Sequence, residues 1–256
     1  MIDLHCHILM GLDDGPKQIE DSLALARQAQ DQGVTHIVCT PHHMNRSWMN
    51  PRPKVVQAVQ EFQAVLDQEG IDITLFPGQE LRLHGEILEN IKKGEICFFD
   101  EFGKYVLIEF PTGGVPQYTD RVFYELAIQG IRPVIAHPER NKAIQKDPEI
   151  LKGLVEKGAL GQVTAASLNG KLGRQVKRLS LDLIEANLIH VVASDAHHPK
   201  RRPFDLAPTY DQVEKHFGKE VRQAFDQRAR DLVNGDPIAI GEVKSVGKKK
   251  FLGLFS

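Results

Sequence analysis

The sequence reads as an α/β fold: one domain of about seven βα units whose parallel strands close, or nearly close, into a barrel with helices outside. Two observations predict it. Short, near-continuous apolar runs, such as Thr35-His36-Ile37-Val38-Cys39-Thr40 and Ile189-His190-Val191-Val192-Ala193, alternate with longer stretches whose apolar residues recur at helical spacing. Strands covered by helices on both faces have that run-like character, whereas half-exposed strands alternate. In addition, no linker, low-complexity segment or sequence repeat divides the 256 residues. An open doubly wound sheet fits the same pattern and is the alternative.

Taken in order, Met1–Cys6 is the first strand. Asp13-Asp14-Gly15-Pro16 is turn chemistry. Pro16 suits the first turn of a helix over Lys17–Gln32, which carries Ile19, Leu23, Ala26 and Ala29 on one face and stops at Gly33. The second strand, Thr35–Thr40, is closed by Pro41. A loop rich in Asn, Arg and Pro leads to a helix near Pro53–Gln68 with Val55, Val59, Phe62 and Leu66 on one face. The third strand, Asp72–Phe76, closes at Pro77-Gly78, and a short helix over Gly85–Lys92 follows. Strand Tyr105–Ile108, helix Asp120–Gln129 and strand Pro133–Ala136 come next. Helix Pro148–Lys157, a weaker strand Leu160–Thr164, helix Arg174–Asn187 and strand Ile189–Ala193 complete the alternation. Two helices, Leu206–Phe217 and Glu220–Asn234, end it. The expected domain spans residues 1–246, with 247–256 as a basic and apolar tail.

Hydrophobic residues make up 41% of the chain and charged residues 26%, as in an ordinary soluble protein. The net charge of -2 gives no overall attraction for polyanions, and no basic stripe interleaved with aromatics marks a strand-binding face, so no nucleic-acid partner is expected. Cys6, Cys39 and Cys97 are odd in number and far apart, which argues against a disulfide framework and for a reducing cytoplasm. Residues 1–20 hold His5, His7, Asp13 and Asp14 where a secretory signal needs an apolar core. No run approaches the roughly 20 apolar residues of a membrane span.

The chemistry sits where the apolar runs end. A βα barrel builds its active site at the C-terminal ends of its strands. His5, His7, His42, Glu80, Glu109, His137, Asp195 and His197 all fall there, and Asp14 joins them from the first loop. Every expected strand but the sixth delivers at least one. His5 and His7, two apart, share one face of a strand while Cys6 takes the other. One strand-end histidine is an ordinary polar terminus; the same residue types at six strand ends specify a shared metal site. These ligands are too many for one ion, since zinc takes about four. Mixed imidazole and carboxylate ligation suits a cluster of divalent Mn, Fe or Zn, with Glu80 or Asp195 bridging, better than an all-oxygen Mg or Ca site. Such clusters hydrolyse esters by acidifying water and clamping an in-line displacement. A phosphoryl group also calls for guanidinium groups on its oxygens. Arg140 lies three residues after His137, and Arg201-Arg202 follow His197-His198.

The ordered set Asp13-Asp14-Gly15-Pro16, Thr40-Pro41-His42-His43, Pro77-Gly78-Gln79-Glu80, Glu109, Ala136-His137-Pro138-Glu139-Arg140 and Ser194-Asp195-Ala196-His197 runs over nearly the whole chain. It resembles the polymerase-and-histidinol-phosphatase (PHP) superfamily, and within it the bacterial metal-dependent tyrosine-protein phosphatases of capsule and exopolysaccharide clusters. The resemblance implies a distorted (β/α)7 TIM-like barrel with a trinuclear, often manganese-dependent centre. Carried over by position, His5, His7, Glu80 and Asp195 would hold one ion, Glu80, Glu109 and His137 a second, and Asp14, His42 and His197 a third. Arg140 and Arg202 would take the phosphate-binding or catalytic places, with Arg201 adjacent as the alternative. His198 stands where a different polar residue is expected, which leaves a supporting role open. The implied substrate is phosphotyrosine in the C-terminal tail of a membrane-associated bacterial tyrosine kinase. The expected reaction is in-line attack on phosphorus by a hydroxide held at the ions, with no phosphoenzyme.

Other chemistries lack their residues. A thiolate phosphatase needs Arg six positions after its Cys, and Leu12, Asn45 and Gly103 stand there. Gly113-Gly114 lacks the Lys of a phosphate loop, and no serine elbow is present. A histidinol-phosphate or other small-molecule phosphatase is the alternative function; a nuclease and a non-catalytic regulatory module are further ones. Lys248-Lys249-Lys250 and Phe251-Leu252-Gly253-Leu254-Phe255 allow at most weak contact with an anionic membrane, against a disordered end or an oligomer contact.

Overall fold

A computed structural model describes residues 1–247; of the expected tail over 247–256, residues 248–256 lie outside the described residues. The strands are β1 (Ile2–Cys6), β2 (His36–Cys39), β3 (His42–His43), β4 (Thr74–Pro77), β5 (Glu80–Arg82), β6 (Tyr105–Glu109), β7 (Arg132–Ala136), β8 (Leu160–Thr164) and β9 (Val191–Ala193). All pair in parallel, in the orders β1-β2-β4 and β3-β5-β6-β7-β8-β9. The two sheets are one wall, because β3 continues β2 and β5 continues β4. Pro41 and Pro77-Gly78 interrupt the ladder at those points, as proline must, having no N–H to give. At Gly78 the bend brings the backbone so close to β2 that a Cβ would lie 2.5 Å from Val38 Cγ1. The two short strands β3 and β5 were not expected from the sequence; they re-aim each strand end toward the barrel mouth and pair His42 with Glu80.

The wall closes between β9 and β1. Cys6 bridges Ala196, Asp195 N donates to His5 O at 2.8 Å, and His7 N donates to Ala196 O at 2.9 Å. The open-sheet alternative is thereby excluded, and the fold is a distorted seven-position βα barrel. The barrel interior is filled by Leu4, Val38, Leu107, Val134, Leu160 and Val191, each buried. Its floor is sealed by α10 (Lys219–Asn234) and the segment after it: Ala229, Leu232 and Ile238 join the same cluster, and Tyr105 donates its hydroxyl to Asp236 O at 2.6 Å. One end is therefore plugged, and the strand C-termini are left as the open end.

The outer helices are α1 (Ile19–Asp31), α2 (Arg52–Gln68), α3 (Ile87–Lys92), α4 (Thr119–Ile128), α5 (Lys142–Lys146), α6 (Glu149–Glu156), α7 (Ala165–Leu168), α8 (Arg174–Glu185) and α9 (Leu206–Phe217). In α2 the expected stripe Val55, Val59, Phe62 and Leu66 is buried, each side chain contributing roughly 1.5–3 kcal/mol. Helix α1 begins two residues later than its sequence suggests. Residues before it are engaged at the rim instead: Gly11 N donates to Pro16 O at 2.9 Å, and Lys17 Nζ bonds Asp13 O. The short helices α5 and α7 carry too few apolar residues to show a period and were missed. None of the described helices is long and apolar enough to cross a membrane.

His190, just ahead of β9, is fully buried, and its Nδ1 accepts from Gly161 N at 3.0 Å. Burial, then the nearby Arg228 and Arg132, push its pKa down to about 3. The unfolded chain therefore takes up this proton first as pH falls, and the folded state loses stability from pH 6.5 downward, about 3 kcal/mol by pH 4. Urea unfolding across pH 4–7 should show an acid limb that is shallower in His190→Gln; parallel limbs would contradict this origin.

Candidate metal centre

Three histidines at the open end are held by their Nδ1 atoms. His5 Nδ1 donates to Gln162 Oε1 at 2.8 Å, His7 Nδ1 to Asp13 Oδ2 at 2.6 Å, and His197 Nδ1 to the Asp195 carbonyl at 2.9 Å. An imidazole fixed this way turns the lone pair of Nε2 to the opposite side, the arrangement that prepares histidine as a metal ligand. Those Nε2 atoms face one another and the carboxylates. His5 Nε2 and His7 Nε2 are 3.0 Å apart, and both stand 3.3–3.4 Å from Glu80 Oε2. Asp195 Oδ1 lies 3.5 Å from His5 Nε2 and 3.6 Å from His7 Nε2. Asp14 Oδ1 lies 3.4 Å from His197 Nε2 and 3.5 Å from His42 Nε2.

Ligand atoms within 4.8 Å of one another form three overlapping groups: His7, Asp14, His42 and His197; His5, His7 and Glu80; and His42, Glu80 and Glu109. His137 and Asp195 join through their neighbours. His137 Nε2 bonds Glu80 Oε1 at 2.6 Å, and Asp195 Oδ2 receives Arg140 at 2.5 Å and Arg202 at 2.8 Å. The structure thus brings every expected ligand and both expected arginines into one mouth. The grouping differs from that implied by resemblance: His7 also joins Asp14, His42 and His197, and His42 stands with Glu80 and Glu109, while His137 engages Glu80 alone.

The electrostatics call for added positive charge. Asp13, Asp14, Glu80, Glu109 and Asp195 face only three guanidinium groups, those of Arg82, Arg140 and Arg202. Burial opposes charge on His7, yet Asp13 and Glu80 carry its pKa well above the usual imidazole value. Burial likewise opposes ionisation of Asp195, but His5, Arg202, His197 and Arg140 hold its carboxyl well below the usual range. Glu109 goes the other way: burial and the Glu80 charge raise it to about 7. Burial, then Arg140, lowers His137 to about 4. Two buried atoms have no aligned hydrogen bond: His42 Nδ1, though 2.9 Å from Glu80 Oε2, and Glu109 Oε2, though 2.8 Å from the Arg82 guanidinium. Unshared imidazole and carboxylate lone pairs converging in a buried site fit the coordination chemistry of divalent cations.

Two of these residues hold a costly backbone. His137 (φ 32°) and Asp195 (φ 52°) are left-handed, a conformation costing on the order of 1–3 kcal/mol for such residues. Each turns the chain sharply at a strand end and aims its side chain into the mouth. Sequence reasoning missed the groups behind the ligands. Gln162 was a polar residue inside the one strand without a ligand, and Asp13 was read only as turn chemistry. Asn50, fully buried in the loop after β3, ties that loop to the one after β1 and to β3 itself by donating to Leu12 O at 2.9 Å and His42 O at 2.8 Å. Trp48 stacks on His42, ring centroids 5.2 Å apart.

A closed βα barrel with imidazoles and carboxylates gathered at its strand ends defines a class, the barrels built to hold divalent ions for hydrolysis. Residues 1–233 match the family described as capsular polysaccharide synthesis, CpsB/CapC, and the chain belongs to that family. It is 42% identical over 255 residues to the tyrosine-protein phosphatase YwqE of Bacillus subtilis, covering all of both chains. It is 39% identical to the putative tyrosine-protein phosphatase CapC of Staphylococcus aureus, covering 99% of this chain and 100% of that one. A solved structure, described among the crystal structures of YwqE from Bacillus subtilis and CpsB from Streptococcus pneumoniae as unique metal-dependent tyrosine phosphatases, superposes with a TM-score of 0.94 over 97% of this chain and 100% of its own, at 42% identity. A β-aspartyl dipeptidase from Fervidobacterium islandicum shares the fold alone, at 16% identity and a TM-score of 0.51 over 95% of this chain and 77% of its own.

Asp13 accepts from His7 Nδ1 and His42 N through Oδ2, and from Gly15 N through Oδ1. Asp13→Asn sets an amide NH2 against one of these donors. Divalent-ion affinity should fall about 10–100-fold, as for other losses of a ligand's support. Calorimetric titration of metal-free protein measures it; unchanged affinity would show that Asp13 does not orient His7.

Proposed function

We propose that this protein is a metal-dependent tyrosine-protein phosphatase. The observation that carries the reading is the convergence of Arg140 and Arg202 on Asp195 Oδ2, at the lip of the imidazole–carboxylate cluster. Two guanidinium groups beside a divalent-ion site are the equipment for a phosphoryl group. The full-length likeness to proteins named tyrosine-protein phosphatases supports the same choice of substrate.

In this reading His5, His7, Glu80 and Asp195 hold one ion. Glu80, Glu109 and His137 hold a second, with His42 close by, and Asp14, His42 and His197 hold a third. Manganese is the proposed metal, with iron or zinc as substitutes the same donors accept. When bound, the ions supply acidified water as nucleophile and neutralise charge on the phosphoryl oxygens. The chain's own residues do the rest. Arg140 and Arg202 exchange part of their contact with Asp195 for the phosphoryl oxygens and so orient the phosphoryl group. Gln162, Asp13 and the Asp195 carbonyl keep the imidazoles aimed. The leaving phenolate, with a parent pKa of about 10, departs with less help from an acid than an alkoxide needs.

No cysteine serves. All three are free and buried. Burial holds the thiols of Cys6 and Cys39 well above their ordinary value and pushes Cys97 up to about 12, so none is a thiolate at neutral pH. Free buried thiols suit the reducing cytoplasm proposed as the protein's location. The proposed physiological substrate is the phosphotyrosine-bearing C-terminal tail of a membrane-associated bacterial tyrosine kinase, on the strength of the family's link to capsular polysaccharide synthesis.

Chelation should abolish turnover of a phosphotyrosine peptide, and added Mn should restore it, while Cys39→Ser keeps full activity; a metal-free protein that still turns over rejects the reading. Histidinol phosphate assayed alongside should be the poorer substrate; the reverse order assigns a small-molecule phosphatase. Arg140→Lys and Arg202→Lys should each lower kcat by about 10²–10³, the usual cost of one lost transition-state donor, and a variant within twofold of the parent would remove that arginine from the phosphate site.

A further inference from the structure

Arg201 and Arg202 are neighbours with opposite fates. A tight turn fixes the backbone around them: His198 and Arg202 exchange backbone hydrogen bonds, 3.1 and 3.2 Å, and Arg201 N donates to His198 Nδ1 at 3.3 Å. Arg202 turns inward to Asp195. Arg201 is exposed and, among the described residues, its side chain has no ion pair or hydrogen bond.

Its position gives that free charge a use. A recess of about 150 Å³ beside the site is lined by Arg140, Arg202 and Asp195, and also by Leu172, Lys171 and Arg201. The other cations there each have a partner: Arg140 and Arg202 share Asp195, and Lys171 meets Asp205. Leu172, 45% exposed, adds an apolar wall. Arg201 also borders the larger opening, about 420 Å³, over Asp14, His197 and Arg202. Three recesses adjoin the place of a phosphoryl group on Arg140 and Arg202; the smallest lies against Glu109, His137 and Arg140, and Arg201 borders the two larger ones, which give a substrate chain the most room to leave the site. Neutralising the phosphoryl group does not require it, because Arg140 and Arg202 already stand there.

We propose that Arg201 is a specificity residue that pairs with an anionic side chain flanking the phosphotyrosine, either a carboxylate or a second phosphate. The proposal rests on the phosphatase reading and adds to it a preference for acidic sequence context.

The test compares Mn-loaded wild type with Arg201→Gln on three phosphotyrosine peptides of equal length, with neutral flanks, Glu flanks, or a second phosphotyrosine at the same flank. p-Nitrophenyl phosphate, which has no flank, is the control. Wild type should favour at least one anionic peptide about fivefold in kcat/KM, the scale of an exposed ion pair. The gain should lie in KM and shrink in 0.5 M salt as screening sets in. Which anionic peptide gains identifies the flanking group. Arg201→Gln should lose the preference and keep its p-nitrophenyl phosphate turnover. A preference that survives the substitution, or is absent from wild type, overturns the proposal. So does a parallel loss on p-nitrophenyl phosphate, which would place Arg201 on the phosphoryl group itself. A wild type inactive on every one of these substrates rejects the phosphatase reading instead.

Discussion

Crowded, buried negative charge and unshared nitrogen lone pairs are the constraint on which this structure depends. His5 Nε2 and His7 Nε2 sit 3.0 Å apart with Glu80 and Asp195 against both. In a low-dielectric mouth such an arrangement persists only if positive charge is present. A proton meets part of the need, since Asp13 and Glu80 hold the His7 imidazole well above its usual pKa against the cost of burial. Divalent ions meet it with better geometry, since each satisfies several lone pairs at once.

The fold is arranged to keep that cluster from relaxing. The interior side chains and α10 plug one end of the barrel, so the polar groups are confined to the other. Closure of β9 on β1 sets Asp195 beside His5 and His7 although most of the chain separates it from them. The breaks at Pro41 and Pro77-Gly78 bring in His42 and Glu80 as a direct cross-strand pair. Left-handed backbone at His137 and Asp195 spends stability to point two more groups inward. Arg140 and Arg202 both hold that carboxylate from the lip of the cluster.

The alternation of strands and helices was legible because buried parallel strands carry little but apolar residues, and because ligands mark where each run stops. The convergence of the candidate ligands was legible for the same reason: a charge or imidazole has no structural need to end strand after strand. What stayed hidden acts through geometry rather than residue type. Gln162 and Asp13 are ordinary polar residues until a histidine Nδ1 is seen to donate to them. Strands β3, of two residues, and β5, of three, are too short for any period. The choice between Arg201 and Arg202 cannot be read from two identical neighbours; it follows from the turn that sends one side chain inward and the other out.

The most direct measurement is anomalous X-ray diffraction at the metal absorption edge, from crystals of protein purified without chelator. Peaks are expected between His5, His7 and Glu80, beside Glu80 and Glu109, and between Asp14, His42 and His197. An empty mouth at full side-chain order, or ions bound only elsewhere on the surface, would contradict the claim that these residues are shaped around a metal cluster.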